Sequence, residues 1–350
     1  MFLSGFFGRD VLGSNSSDNE DFEIFWGNKT GNLRWMHIIS PKLFTNFSLI
    51  YTDYNFTTQI IDDNYKQDLE ILSGINDVTL KANGEYFPLK EHTIKTGIEA
   101  TWHGFNSGIN FNISGVEDEF PEEKIQTFDA AYFIQDEWNI TPLLSSNIGA
   151  RLYYFENGNY LNLEPRLSLS YQLTDKLSIN SSFAVANQYL HLIVRNDITL
   201  PTDLWFPSTE NIKPSRSMQS SLGMEAELFD REYILTTEFY YKEMQNIYEF
   251  KEDADFGFGI PLEDQFTSGR GEAYGVELFL NKRVGRFTGW IGYTLSWTKR
   301  YFDEINNGKW YYPRYDRRHD ISVVLNYKAS DSWEISASWI YGTGQAYTMP

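Results

Sequence analysis

The residues best suited to chemistry are Asp316, His319 and Asp320, which place an imidazole close to two carboxylates. Such a set can act as a general base or as metal ligands. Arg317 and Arg318 stand beside it as ion-pair partners, and no serine in the chain has the context of an activated nucleophile. We therefore predict that these residues form structural ion pairs and that the protein is not an enzyme.

A second candidate is an acidic stretch that could offer hard oxygen ligands to Ca²⁺. It contains Glu117, Asp118, Glu119, Glu122 and Glu123, but lacks the Asp-x-Asp-x-Asp-Gly spacing of a dedicated calcium loop. The stretch is therefore interpreted as solvated loop charge. We predict neither a metal site nor another cofactor.

Composition limits the class of protein. The 350 residues include 26 Phe, 23 Tyr, 10 Trp and 25 Gly, which favours strands and turns, and they include no Cys. Disulfide frameworks and thiolate zinc sites are thereby excluded. The formal charge of -19 argues against a nucleic-acid partner, because phosphate contacts require clustered Lys and Arg.

Hydrophobic alternation with a period of two indicates the secondary structure. In residues 143–154, Leu144, Ile148 and Leu152 fall on one face, while Asn147 and Arg151 fall on the other. Comparable segments predict an all-β chain of roughly 14 strands. They cover 33–39, 43–53, 68–87, 92–103, 127–140, 143–154, 163–173, 176–187, 216–229, 231–247, 271–283, 286–299, 317–328 and 332–342.

The links between these strands alternate in length. Tight turns such as Pro41-Lys42, Thr174-Asp175 and Val284-Gly285 predict hairpins. The intervening links are long, at 54–67, 104–126, 155–162, 188–215, 248–270 and 300–316. In an up-and-down antiparallel sheet this puts every tight turn at one end, as in transmembrane β-barrels with short periplasmic turns and long extracellular loops. A soluble propeller or sandwich would instead show blade repeats and links of similar length.

Several motifs carry a resemblance to a known family. They are EPRLS at 164–168, LWFPSTENIKP at 204–214, EFYYKEM at 238–244, GEAYGVEL at 271–278, GWIGYTLSW at 289–297 and YDRRHD at 315–320. In this order they resemble the barrel part of TonB-dependent outer-membrane receptors. The first 130 residues resemble that family less sharply.

The resemblance implies a 22-stranded barrel with a plugged lumen. This chain departs from that pattern in three ways: no plug is visible, the strands are too few, and Pro350 is not the aromatic end of a closing strand. Met1 also lacks a following signal peptide. We therefore expect residues 1–350 to form one incomplete barrel domain of a longer protein, without its plug and last strands.

The resemblance also implies a function. It is uptake of an iron chelate, a vitamin, an oligosaccharide or a peptide across the bacterial outer membrane, energised through the TonB complex, with lipid around the wall and a possible surface lipoprotein lid. A passive porin or structural barrel, and an outer-membrane hydrolase, stay as alternatives.

Polar positions such as Arg151 and Glu164 are expected to face the lumen. Aromatic loop residues are the predicted ligand contacts: Trp205, Phe206, Trp310, Tyr311 and Tyr312.

Overall fold

A computed structural model describes residues 1–15, 20–62, 67–113, 116–119, 123–193, 204–252 and 262–344. Within these ranges the chain is built from strands and two short 3-10 turns. No described helix is long and apolar enough to cross a membrane.

The strands are named in chain order. They are β1 (Phe2–Asn15), β2 (Glu20–Ser40), β3 (Leu43–Asp62), β4 (Gln67–Tyr86), β5 (His92–Ile113), β6 (Val116–Glu119), β7 (Glu123–Thr141), β8 (Leu144–Phe155), β9 (Tyr160–Thr174), β10 (Leu177–Gln188), β11 (Leu190–Ile193), β12 (Leu204–Pro207), β13 (Ser215–Leu228), β14 (Tyr233–Phe250), β15 (Phe266–Lys282), β16 (Phe287–Phe302), β17 (His319–Lys328) and β18 (Glu334–Gly342).

The strands pair antiparallel in sequence order, which confirms the predicted up-and-down topology. The path runs from β1 to β18, omitting β6, which pairs with the far end of β5, and the separate β11–β12 hairpin. Among the described strands, β1 pairs with β2 alone and β18 with β17 alone, so the sheet is open between its two edges. The fold is thus the wall of a barrel that this chain does not close.

The predicted tight turns are confirmed at one end of the sheet. Backbone geometry explains two of them: Phe229, Asp230 and Arg231 have φ of 49°, 54° and 70°, and Gly285 has φ of 104°. Consecutive left-handed residues reverse the chain within a few residues. The seven links at this end each join two long strands without further structure.

Three predicted long links are wrong. The predicted loop 104–126 is mostly strand, because β5 continues to Ile113, β6 covers Val116–Glu119 and β7 begins at Glu123. Between β8 and β9 only Glu156–Asn159 lie outside the strands, with Gly158 and Asn159 at positive φ. The predicted loop 54–67 is largely strand, because β3 continues to Asp62 and β4 begins at Gln67. Outward positions there, such as Asn55 and Gln59, are polar, so the outer face no longer carries the apolar residues that marked the strands, although the pairing continues.

The prediction also missed the start of the sheet. β1 was not predicted, and β2 begins at Glu20 where a strand was expected only from residue 33. The two strands pair without interruption from Phe2 opposite Arg34 to Asn15 opposite Asp21. Glycines, Asn and charged residues on both faces of this hairpin weaken the period of two, which is why pattern alone did not identify it.

The outer face of the sheet carries exposed apolar side chains. Ile98, Tyr132, Leu152 and Leu163 lie side by side on four consecutive strands. Their exposed fractions are 58, 47, 42 and 60%. Neighbouring rows contain further exposed Leu, Ile, Phe and Trp side chains. Soluble monomers rarely expose a continuous apolar surface of this extent, so the outer face is built to contact an apolar medium.

Candidate functional site: the barrel interior and its crossing hairpin

The inner face of the sheet is identified by the β11–β12 hairpin. This hairpin lies between β10 and β13 in the sequence, yet it contacts β4, β5 and β14. Because these strands are far apart in the sheet order, only the concave side can bring them to one short segment. The hairpin therefore crosses the interior.

The hairpin has two different sides, as expected from strand pleating. Leu192 pairs with Trp205, and the preceding residue His191 pairs with Phe206. His191 and Phe206 face the ends of β14 and β15 that lie away from the tight turns. There the His191 ring packs edge-on against Tyr248 at 5.1 Å between centroids, and its Nε2 lies 3.0 Å from the hydroxyl of Ser208. Burial lowers the pKa of His191 to about 4, so the ring is neutral.

Phe206 is the centre of the main apolar cluster. Its ring meets Phe266 of β15 at 5.6 Å, and Ile212 completes the buried core. Ile125 of β7 also packs against this cluster. Five strands separate β7 from β15 in the sheet, so the cluster connects opposite parts of the wall through the interior. Phe206 is only 5% exposed.

Further contacts hold the two ends of the crossing segment. Tyr189 stacks on Tyr153 of β8 at 4.4 Å, and its hydroxyl accepts a hydrogen bond from Asn162 of β9. At the other end, Thr209 and Asn211 each donate a hydrogen bond of 3.0 Å to the carboxylate of Glu263. The crossing hairpin is thus anchored on both sides of the interior.

The second side of the hairpin leaves a space. Leu192 and Trp205 face the inner surface of β2, β3 and β4 across a cavity of about 330 Å³. Tyr54 and Ile75, which are direct partners in the β3–β4 pair, form part of its floor. This volume lies at the lower end of the range for small-molecule sites.

A buried polar chain lies on the inner face next to this cavity wall. His103 Nδ1 is 2.7 Å from Asp77 Oδ1, and His103 Nε2 is 2.8 Å from Asp129 Oδ2. Tyr153 donates to the same Asp129 oxygen at 2.5 Å. Since both ring nitrogens meet acceptors, both must donate, and the imidazole has no lone pair left for a general base. The arrangement stabilises the wall and does not suit hydrolysis.

The sequence reasoning missed this chain. Its members are distant in the sequence and come from β4, β5, β7 and β8. Once the strand register is known, all four residues fall on the inner face of the sheet. This shared face is the signal that could have identified them. The structure does place the predicted lumen residues Arg151 and Glu164 opposite each other on the inner face, where Glu164 accepts from the backbone of Asn187 at 2.9 Å.

The five predicted ligand contacts fall in two groups. Trp205 lines the cavity, whereas Phe206 is buried in the apolar cluster and offers almost no surface. Trp310, Tyr311 and Tyr312 lie instead between β16 and β17.

In that second group, Trp310 is 39% exposed beside Lys299, with 5.0 Å from Nζ to the ring centroid. Tyr311 donates to Glu249 at 2.7 Å, and burial together with this carboxylate raises the pKa of Tyr311. Tyr312 is half exposed, under the guanidinium of Arg318. Whether any of these residues contacts a ligand stays a prediction.

The residues that suggested chemistry at 316–320 form structural pairs, as predicted. Asp316 accepts from the backbone of Thr298 at 2.7 Å and pairs with Arg318 at 3.2 Å. His319 Nδ1 lies 2.9 Å from the hydroxyl of Tyr293. In the part of the chain that the structure describes, no group of three acidic or imidazole side chains is placed to hold a metal. Of the acidic stretch, Glu122 lies outside the described residues, and the side chains of Glu117, Asp118, Glu119 and Glu123 are likewise not described.

Comparison with solved structures supports the same fold. The ferric-catecholate import receptor Fiu from K12 E. coli aligns with a TM-score of 0.63 and 14% identity, over 93% of this chain and 54% of that one. The copper transporter OprC aligns with a TM-score of 0.68 and 12% identity, over 97% and 58%. The siderophore receptor PiuA from Acinetobacter baumannii aligns with a TM-score of 0.64 and 14% identity, over 93% of this chain and 55% of that one.

The chain thus spans little more than half the length of these structures. No curated protein sequence matches it. A family model, described as TonB dependent receptor-like, beta-barrel, matches residues 3–349. Because this match covers nearly the whole chain, the protein belongs to the TonB-dependent receptor family and supplies part of its β-barrel.

Proposed function

We propose that this chain forms the wall and outer mouth of a bacterial outer-membrane receptor that takes up a scarce nutrient with energy transmitted by TonB. The continuous row of exposed apolar side chains on the outer face suits contact with lipid. The related structures are described as an import receptor, a transporter and a siderophore receptor, which supports an uptake role.

The crossing hairpin is the observation that best supports a receptor. A passive porin needs an open aqueous interior. Here the described parts of the crossing segment, 189–193 and 204–214, are anchored on β8 and β9 at one end and on the β14–β15 side at the other, with the Phe206 cluster between them. A segment held across the interior with a cavity beside it suits a protein that captures a ligand before moving it.

The proposed ligand contacts are Trp205 in the cavity and the Trp310–Tyr312 group between β16 and β17. Phe206 serves as the anchor that positions Trp205, since its neighbour in the strand must point to the opposite side. The ligand classes proposed are an iron chelate, a vitamin, an oligosaccharide or a peptide. A hydrolase is disfavoured because the inner His103 has both nitrogens occupied.

Growth under nutrient limitation tests this function. The gene would be deleted in its natural host, and growth compared on a panel of iron chelates, vitamins and oligosaccharides as sole source. We expect a defect on one ligand class that a deletion of tonB reproduces, together with recovery of the protein in the outer-membrane fraction. Uptake that continues at the wild-type rate without TonB would assign the protein to the passive class.

A further inference from the structure

The cavity beside the crossing hairpin has an unusual wall. Its polar lining consists of Asn28, Thr30, Thr52 and Ser73, which are an amide and three hydroxyls. Thr30 and Thr52 are direct partners across the β2–β3 pair. Each of these side chains can both donate and accept a hydrogen bond. The wall is therefore matched to a ligand whose own groups do both.

Three aromatic rings complete the cavity. Tyr54 and Phe56 lie two positions apart on the inner face of β3, and Trp205 faces them from the hairpin. Aromatic faces of this kind pack against flat apolar surfaces. The cavity thus combines an aromatic lining with neutral groups that can form hydrogen bonds.

No charged side chain lines the cavity among the described residues. The carboxylate of Asp77 is opposite Thr52 in the β3–β4 pair, but it is engaged by His103 at 2.7 Å. A buried charge on a ligand would consequently find no partner here and would lose its hydration without compensation. The lack of a charged partner therefore disfavours anionic and cationic groups in the cavity relative to neutral groups.

We propose that this cavity binds a neutral saccharide ring, stacked between Trp205 and the β3 aromatics and hydrogen-bonded by the Thr30–Thr52 pair. A pyranose has a flat apolar face and a rim of hydroxyls that both donate and accept, and it carries no charge. The inference rests on the proposed uptake function and narrows its ligand to an oligosaccharide or to a ligand that bears a neutral sugar.

Saturation-transfer NMR on the detergent-solubilised natural protein tests the proposal. The probes are neutral di- and trisaccharides of gluco, galacto and manno configuration, with gallium(III) tris-catecholate, the diamagnetic counterpart of the ferric complex, as a highly charged comparison. We expect transfer to the ring C–H protons of at least one sugar. Trp205→Ala should weaken the titrated affinity at least tenfold, and Thr52→Val, which removes one hydroxyl at constant shape, by about threefold to tenfold.

Two controls keep the outcome clear. Trp333→Ala removes an exposed tryptophan in the turn before β18, outside the cavity, and should leave sugar affinity unchanged. Because Trp205→Ala alters the hairpin itself, Thr52→Val on the wall provides the independent variant. Binding of no neutral sugar, or binding of the catecholate that falls with Thr52→Val, would overturn the proposal.

The same variants separate this proposal from the proposed function. If uptake requires TonB but neither Trp205→Ala nor Thr52→Val changes it, the saccharide site is wrong and the receptor function stands. If sugar binds the purified protein through the cavity but uptake does not require TonB, the site stands and the transport mechanism is wrong.

Discussion

His103 and Asp129 are joined across the β5–β7 pair by a hydrogen bond of 2.8 Å that lies on the inner face of the wall. Their side chains are only 5 and 7% exposed. The other nitrogen of His103 bonds to Asp77, so one imidazole connects three strands. Removal of one member of such a buried pair leaves the other charge without compensation.

We expect His103→Ala to destabilise the barrel by about 3 to 5 kcal/mol. The matched control is His92→Ala, because His92 also bonds an aspartate, Asp136 at 2.7 Å, but with side chains 26 and 32% exposed. That change should cost at most about 1 kcal/mol. Urea unfolding of the protein in micelles, followed by tryptophan fluorescence, measures both. Equal losses for the two variants would show that burial does not control the strength of these pairs.

The crossing hairpin should loosen in acid. Burial lowers the pKa of His191 to about 4 from an ordinary value of 6.5, because removal from water disfavours the charged ring. The buried ring contacts Tyr248 and Ser208. Its contribution to docking is therefore complete above pH 6.5 and is lost progressively as the pH falls toward 4. Protease cleavage within 189–214 as a function of pH measures the docking. His191→Phe should remove most of this pH dependence, and an unchanged profile in that variant would assign it to other groups.

Phe206 and Trp205 should contribute differently to the stability of the crossing hairpin. Phe206→Ala empties the centre of the apolar cluster with Ile212 and Phe266, and such truncations cost about 3 to 5 kcal/mol. We expect faster hydrogen exchange throughout the hairpin. Trp205→Ala should alter exchange much less, since its ring borders a cavity instead of a packed core. Similar exchange in both variants would contradict the two-sided arrangement.

Adjacent residues of β9 test which face meets lipid. Leu167 is 38% exposed on the outer face, and Ser168 faces the interior opposite Asn147 and Ser182. Leu167→Arg should reduce folding stability in lipid vesicles by about 2 to 4 kcal/mol if it lies near the midplane of the bilayer. Ser168→Arg should be tolerated, because its charge reaches a polar interior. The heat-modified gel shift gives the folded fraction, and equal tolerance of both variants would argue against a membrane wall.

The sequence by itself determined the class of fold. Alternation in 143–154, tight turns such as Pro41-Lys42 and the ordered family motifs are local features, so strand positions and topology followed from them. The role of Asp316 was also predictable, because its partner Arg318 is a near neighbour in the chain. Strand signals failed in β1, where both faces carry polar residues, and at the far end of β3, where the outward positions Asn55 and Gln59 are polar.

Only the tertiary structure decided what meets in the interior. Asp77, His103, Asp129 and Tyr153 become one hydrogen-bonded chain because antiparallel register places them at one level of the wall. The sequence marked Trp205 and Phe206 as equivalent aromatic loop residues. Pleating of the hairpin turned one toward a cavity and buried the other against Phe266, a residue on a distant strand. The period of hydrophobic alternation and the residues of the tight turns are local features of the sequence. Contacts across the interior depend instead on how the sheet curves and where the β11–β12 hairpin crosses it.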